Sequence, residues 1–178
     1  MNGVQQDRRG WLIRGVGRTA AMACAALLPR LASALDAPTG KVILTVTGAL
    51  KERNDGEAAS FDITLLDRLP RHSFSTKTPW YPQARKFSGV RVSDLLKALG
   101  AQASSVKAVA LNDYRVEMPL DELVRHGALI ASQLDDKPIP VRDKGPLLII
   151  FPFDDAPELR TAVHYSRAIW QLRTLELR

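Results

Sequence analysis

Short apolar runs separated by turn residues follow one another along this chain, and their periodicity alternates between strand-like and helix-like. Residues 41–47 mix apolar and β-branched side chains as a strand does, and Gly48 ends the run. Residues 147–151 form an apolar run that is too short for a typical helix and is bounded by Pro146 and Pro152. This second run is predicted to be a central, buried strand.

Helical and extended segments interleave irregularly around these two runs. Residues 93–100 are predicted to form a short helix with Ser93 as its N-cap and Gly100 as its stop. Further strands are expected at 106–111, 114–118, 128–133 and 168–177, and a second short helix at 120–125. Because these elements lack a regular βαβ order, the pattern predicts a compact single α+β domain with a mixed β-sheet.

The first 34 residues differ, with several arginines, an apolar stretch at 19–28 and small residues at 32–34. This order is typical of a cleaved export signal, and the apolar stretch is too short to span a bilayer. Arg8 and Arg9 resemble the pair of a twin-arginine signal, but Asp7 replaces the usual hydroxyl residue, so the general export route stays open. We expect residues 1–34 to be removed and the domain at 35–178 to be periplasmic.

Removal of this leader changes what the charge of the chain implies. The full chain has 25 Lys+Arg against 19 Asp+Glu, a formal net charge of +6. Residues 1–34 hold five arginines and one aspartate, which leaves 20 basic against 18 acidic residues in the mature domain. This balance gives no support for nucleic-acid binding, and no nucleic-acid partner is expected.

The single cysteine of the chain, Cys24, lies inside the predicted leader. A domain without cysteine cannot form a disulfide, use a thiolate nucleophile or bind a metal through sulfur. His72, His126 and His164 lie far apart in sequence, and none has metal-ligand spacing to another. Two aspartate pairs beside prolines are predicted to serve turns and not acid–base chemistry: Asp135-Asp136 and Asp154-Asp155.

Three clusters place polar and aromatic side chains where apolar runs end, and they are the candidate ligand contacts. The first surrounds Trp80 with Thr78, Tyr81 and two prolines. A rigid, partly exposed tryptophan suits stacking on a flat ligand, although it would also suit the edge of the core. The other two clusters are Asn112, Asp113 and Tyr114, which also make an ordinary turn sequence, and Arg142, Lys144 and Gly145 before the most apolar run.

In this order and spacing, the clusters resemble the molybdopterin-binding domain of the sulfite oxidase family. The resemblance extends over residues 42–177, nearly the whole predicted mature chain. Its marks are residues 87–96, 108–114, 128–131, 144–146 and 170–172. It implies a compact mixed α+β fold, in agreement with the pattern of apolar residues.

Two departures from the family matter for chemistry. Catalytic members carry a molybdenum-ligating cysteine in the segment that corresponds to residues 74–80, where this chain has only the hydroxyls of Ser75, Thr76 and Thr78. Leu147 and Leu148 also replace the arginine that often follows the Gly-Pro step in the larger enzymes. Since a hydroxyl is a poor substitute for soft sulfur, molybdenum is not expected.

The resemblance is therefore nearest to small periplasmic proteins of this scaffold that bind a free reduced pterin. It implies a non-catalytic regulator of a membrane-bound partner, with a periplasmic sensor region, that makes or degrades cyclic di-GMP and so controls biofilm formation. Trp80 would stack on the pterin, Asp113 would accept from its amino edge, and Asn112 or Arg142 would meet its carbonyl. Two alternatives stay open: a molybdopterin-dependent oxidoreductase with altered ligands, and a docking scaffold with a vestigial cleft.

Overall fold

Residues 35–178 are described by the computed structural model, and the predicted signal with Cys24 lies outside them. The α-helices of this region are α1 (Ile63–Leu66), α2 (Val92–Ala98), α3 (Leu120–Arg125) and α4 (Ala162–Arg167). Its strands are β1 (Leu44–Gly48), β2 (Ala59–Phe61), β3 (Arg71–Thr78), β4 (Tyr81–Arg91), β5 (Ser105–Ala110), β6 (Arg115–Pro119), β7 (Leu129–Leu134), β8 (Lys137–Pro138), β9 (Leu148–Ile150) and β10 (Leu172–Leu177). Two 3-10 helices lie at Val141–Asp143 and Pro157–Leu159.

The strands form two sheets. The first has the order β2-β1-β10-β5-β6, and the second has the order β3-β4-β7-β8, with β9 also paired to β7. Strands β1 and β10 run parallel, whereas the other pairs are antiparallel. The predicted α+β fold with a mixed sheet is confirmed.

One contiguous apolar core lies under both sheets, and the run at 147–151 is fully buried within it. Strand β9 is nevertheless not central, because within residues 35–178 it pairs with β7 alone. On its other flank, the N–H of Ile149 donates to the carbonyl oxygen of Ile169 over 3.0 Å. The run therefore satisfies its buried backbone partly through the segment before β10.

The longest strands among residues 35–178, β3 and β4, form a hairpin in a segment for which no strand was predicted. Pro79 and Pro82 make this hairpin hard to predict from the sequence, because proline is typical of turns and not of strands. The predicted helix at 93–100 begins one residue earlier, at Val92, and its N-cap is Arg91 with no side-chain hydrogen bond. The predicted Ser93 cap is therefore wrong, whereas α3 has the predicted bounds.

Within residues 35–178, the longest helix has seven residues. No helix of this part of the chain is long and apolar enough to cross a membrane.

Candidate ligand-binding site

The tip of the β3–β4 hairpin carries the first predicted cluster. Thr78 pairs with Tyr81 across the tip, and Trp80 lies in the turn between them. A register shift between Thr76 and Thr78 breaks the regular ladder at this point. The tip therefore presents its side chains at an angle that a regular hairpin would not allow.

Asp154 fixes the hairpin tip against the second half of the chain. Its carboxylate accepts from the N–H of Lys77 over 2.8 Å, and its own N–H donates to Thr76 Oγ1 over 3.1 Å. Arg160 holds the other carboxylate oxygen at 2.8 Å. Both oxygens are thus engaged within the protein, which agrees with the predicted structural role of this aspartate.

Trp80 is half-buried and packs among aromatic rings. Its ring makes edge-on contacts with Phe153, Tyr165 and Trp170, at centroid distances of 6.4, 6.3 and 5.3 Å. Trp170 is the exposed member of this group, with 40% of its surface accessible. Sequence analysis assigned stacking to Trp80, but the geometry favours Trp170, and Trp80 supports it from behind.

Lys144 brings the third cluster to the same aromatic group. Its Nζ lies 4.6 Å from the ring centroid of Trp170 and 5.1 Å from that of Tyr81, so the ammonium sits over two rings. Burial raises the pKa of the Tyr81 hydroxyl, and the guanidinium of Arg85 opposes this rise from 4.9 Å over the same ring. Tyr81 is therefore a neutral phenol that offers its ring to cations.

The loop that carries Lys144 has a tightly defined backbone. Lys144 ends the 3-10 helix in the left-handed conformation, with φ of 79°. A Cβ on Gly145 would lie 1.9 Å from the carbonyl oxygen of Ile139, so only glycine fits there. Gly145 thus approaches the protein's own backbone closely.

Gln171 joins this loop to the turn that carries the second cluster. Its N–H donates to the carbonyl oxygen of Lys144, and its own carbonyl accepts from the N–H of Leu111, each over 2.9 Å. Its side-chain Nε2 donates to the carbonyl oxygen of Val141, also over 2.9 Å. The residue itself is left-handed, with φ of 52°. Two of the three predicted clusters therefore meet at one residue that sequence analysis did not assign.

A cleft of about 240 Å³ opens beside Trp170, and we call it the aromatic cleft. Its polar and aromatic walls are Asn112, Tyr114, Tyr165, Ser166, Trp170 and Gln171. Tyr114 donates its hydroxyl to the carbonyl oxygen of Ser166 over 3.3 Å, and its N–H is held by Asn112 Oδ1 at 3.2 Å. The turn and α4 thus form opposite sides of one cleft.

Asp113 and Arg142 lie away from the aromatic cleft. Asp113 is left-handed, is not part of the cleft wall, and accepts from Arg173 over 3.3 Å. Arg142 is exposed and lines a second groove of about 430 Å³, which we call the basic groove. The cationic walls of that groove are Arg85, Lys137, Arg142 and Lys144, with Asp143 as its acidic member. Of these cations, Lys144 alone also contacts Trp170.

Two buried polar atoms of the hairpin tip have no hydrogen-bond partner within residues 35–178. They are Thr78 Oγ1 and Trp80 Nε1. Thr78 is 8% exposed, so its hydroxyl is shielded from solvent. A buried polar group without a partner costs about 1–3 kcal/mol, and such groups in native proteins call for an explanation such as an absent binding partner.

The histidines do not form a metal centre. His126 and His164 do approach each other, with ring centroids 6.1 Å apart, and Glu122 lies 3.8 Å from His164. His72 is elsewhere and contacts Asp94 over 2.8 Å. Within residues 35–178, no three histidine, cysteine, aspartate or glutamate side chains are grouped so that they could hold a metal ion.

Residues 62–153 match the family described as the oxidoreductase molybdopterin binding domain. The chain belongs to this family. The match spans the hairpin tip, the Asn112 turn and the Lys144 loop, whereas Trp170 lies beyond it. None of the curated proteins compared with this chain matches it.

The molybdenum of a family cofactor does not fit the side chains present at the hairpin tip. Ser75 is exposed, and Thr76 Oγ1 already binds the N–H of Asp154. Thr78 offers a hydroxyl, which is a harder and weaker ligand for molybdenum than a thiolate. Leu147 and Leu148, at the position of the usual arginine, are fully buried in the core.

The pterin portion of that cofactor fits better. The aromatic cleft offers the ring of Trp170 for a flat heterocycle, and the amide of Asn112 and hydroxyl of Tyr114 for its polar edge. The unpartnered atoms of Thr78 and Trp80 lie at the hairpin tip and are not part of the wall of this cleft. The family membership and these residues together point to a ligand related to pterin.

Proposed function

We propose that this protein is a pterin-binding regulatory protein without catalytic activity of its own. The observation that carries the proposal is the aromatic cleft beside Trp170, which has polar side chains in its wall, in a domain with no cysteine in residues 35–178. Binding needs only the cleft, whereas the redox chemistry of the family needs the metal and its thiolate ligand. A cleft suited to a flat ligand, together with the absence of a thiolate from residues 35–178, favours binding over catalysis.

The proposed ligand is a reduced pterin that stacks on Trp170. Asn112 and Tyr114 would meet its polar edge from the turn, Ser166 from α4, and Gln171 from the segment before β10. Polar groups of this kind give selectivity, because the wrong ligand leaves them without partners. Of the residues assigned from sequence, Asn112, Tyr114 and Lys144 keep direct roles, while Trp80, Tyr81 and Gly145 support the site.

The proposed setting is the periplasm, where the mature domain would act on a membrane-bound protein that makes or degrades cyclic di-GMP. The support for this setting is the signal-like pattern of residues 1–34 and the resemblance to periplasmic pterin-binding regulators. Regulation requires that the partner bind the pterin-loaded and pterin-free forms with different affinities. A vestigial cleft would instead leave the partner's activity unchanged when pterin is added or removed.

The family membership supports a second candidate, a molybdopterin-dependent oxidoreductase with altered metal ligands. It differs from the first in one measurable respect, the metal content of protein purified from the source organism. We expect about one equivalent of pterin by mass spectrometry and no stoichiometric molybdenum by elemental analysis. One equivalent of molybdenum would establish the oxidoreductase and overturn the regulatory proposal.

The location of the site is tested by Trp170→Ala in the full-length chain. Loss of the aromatic face should weaken binding of tetrahydropterin by tenfold or more, measured anaerobically by calorimetry. Val163→Ala is the matched control, since Val163 is exposed on α4 but does not line the cleft. Equal affinities of wild type and Trp170→Ala would refute the assignment of the aromatic cleft.

A further inference from the structure

The ammonium group of Lys144 lies over the ring of Trp170, a residue that also lines the aromatic cleft. Its Nζ lies 4.6 Å from the ring centroid of Trp170 and 5.1 Å from that of Tyr81. A cation over an aromatic face is attracted by the negative potential of the ring. A heterocycle that stacks on the same face of Trp170 must therefore displace this ammonium.

Lys144 also lies where the aromatic cleft and the basic groove meet. Trp170 is part of the cleft, and Tyr81 is part of the groove. Two of the other three groove cations have carboxylate neighbours, and the third, Lys137, contacts neither aromatic ring. Arg85 is paired with Asp135 at 2.5 Å, and Arg142 is 87% exposed beside Asp143. Lys144 is thus the cation best placed to follow a ligand that extends from the cleft into the groove.

Only the side chain of Lys144 is free to respond. Its carbonyl is held by the N–H of Gln171 over 2.9 Å, and the next residue, Gly145, packs directly against the backbone of Ile139. The backbone of the loop is therefore fixed on both sides of the lysine. The long unbranched side chain can still move its ammonium by several ångströms through rotamer changes.

We infer that Lys144 determines ligand specificity by covering Trp170 in the free protein and pairing with an anionic substituent in the bound state. This inference rests on the proposed function and names its ligand class, a flat heterocycle with a carboxylate or phosphate group that reaches the basic groove. A neutral ligand that displaces the ammonium removes the contact between Lys144 and the ring and forms no ion pair in return, so the displacement makes its binding weaker. For an anionic ligand, the charge-assisted hydrogen bond replaces the lost contact.

The test compares two ligands and two lysine variants. The ligands are 6-methyltetrahydropterin, which is neutral, and tetrahydropterin-6-carboxylate, which is anionic; a 6-phosphomethyl analogue distinguishes phosphate from carboxylate recognition. Lys144→Met should raise affinity for the neutral ligand about threefold and lower affinity for the anionic ligands about tenfold. Lys137→Met is the control, because Lys137 lines the basic groove without contacting either ring. It should weaken only the anionic ligands and leave the neutral one unchanged.

A second variant tests whether the effects of Lys144→Met come from loss of the charge or from disturbance of the fold. Lys144→Asn removes the charge with a residue that tolerates the left-handed backbone, and it should give the same opposite changes for the two ligands. Removal of the ammonium should also change the tryptophan fluorescence of the ligand-free protein, as it leaves the face of Trp170. Weaker or unchanged binding of the neutral ligand to both Lys144 variants would overturn the inference while leaving the cleft intact. Failure of the wild type to bind any of the ligands would instead overturn the proposed function, and this inference with it.

Discussion

The backbone N–H of Gln171 donates to the carbonyl oxygen of Lys144 over 2.9 Å, and this bond joins the segment before β10 to the Lys144 loop. The two residues are 27 positions apart, and each adopts a left-handed backbone. Such conformations are costly for side chains other than glycine or asparagine, and they persist where the surrounding contacts fix them. Strain on both sides of one hydrogen bond marks this junction as the part of the site that the fold holds most firmly.

The first prediction concerns the side chain of Gln171, which donates to the carbonyl oxygen of Val141 over 2.9 Å. Gln171→Glu keeps the shape but removes the donor and places a carboxylate against a carbonyl oxygen. We expect a loss of about 1 kcal/mol in the free energy of unfolding and a severalfold weaker ligand affinity, because the Lys144 loop loosens. Urea denaturation and calorimetry measure the two effects. Gln102→Glu makes the same charge change at an exposed position. It should lower neither the free energy of unfolding nor the ligand affinity.

The second prediction separates the two tryptophans. Trp80→Ala should destabilise the fold by about 3 kcal/mol, because its ring packs against Phe153 and Tyr165. Trp170→Ala should cost under about 1 kcal/mol, since Trp170 is 40% exposed, yet it should remove most ligand binding. Thermal denaturation with parallel binding measurements tests both. A reversed order, with Trp170 as the larger stability loss, would show that Trp170 is a core residue.

The two tryptophans show most clearly what could and could not be predicted from the sequence. Periodicity predicted α3 with its bounds and the buried run at 147–151, because one apolar face or one continuous run is a local signal. It could not distinguish Trp80 from Trp170, since which ring is exposed depends on Phe153 and Tyr165, both more than 70 positions after Trp80. Residues 170–172 are among the segments that resemble the family. This resemblance was the signal in the sequence that could have identified Trp170 as a site residue.

The elements that sequence reasoning missed share a physical cause. The β3–β4 hairpin is polar on one side and contains prolines near its tip, so its strand pattern is weak. Helix α4 is a single short segment without a buried residue, and its N-cap is Thr161. Both are specified by contacts with distant segments, such as Asp154 with Lys77 and Tyr114 with Ser166. Local propensity carries little information about elements of this kind.

The third prediction concerns Gly145. Gly145→Ala places a methyl group 1.9 Å from the carbonyl oxygen of Ile139, and this backbone atom cannot move without disturbing the loop. We expect a loss of about 3 kcal/mol or more in the free energy of unfolding, together with loss of ligand binding. Gly56→Ala is the comparison, because Gly56 has a left-handed φ of 57° but open space around it, so it should lose about 1 kcal/mol and keep binding. Equal losses in the two variants would contradict the steric explanation.

The last prediction concerns pH and His164, which precedes the cleft residues Tyr165 and Ser166 on α4. Burial holds the pKa of His164 below its ordinary value of 6.5; Glu122 opposes this effect, and Arg167 and His126 reinforce it. The unfolded chain therefore binds a proton more readily than the folded protein. Stability from the neutral imidazole is complete above about pH 6.5 and is lost as pH falls from 6.5 to the folded pKa.

We accordingly expect the free energy of unfolding to fall between pH 7.5 and 5.5, and this fall to be smaller in His164→Gln. Ligand affinity should follow the same trend, because α4 forms one wall of the aromatic cleft. Chemical denaturation at a series of pH values measures the slope, and Val163→Ala controls for general disturbance of α4, since it should change stability without changing the slope. If His164→Gln keeps the wild-type slope, another group is responsible for the pH dependence. In that case α4 would not link protonation to the cleft.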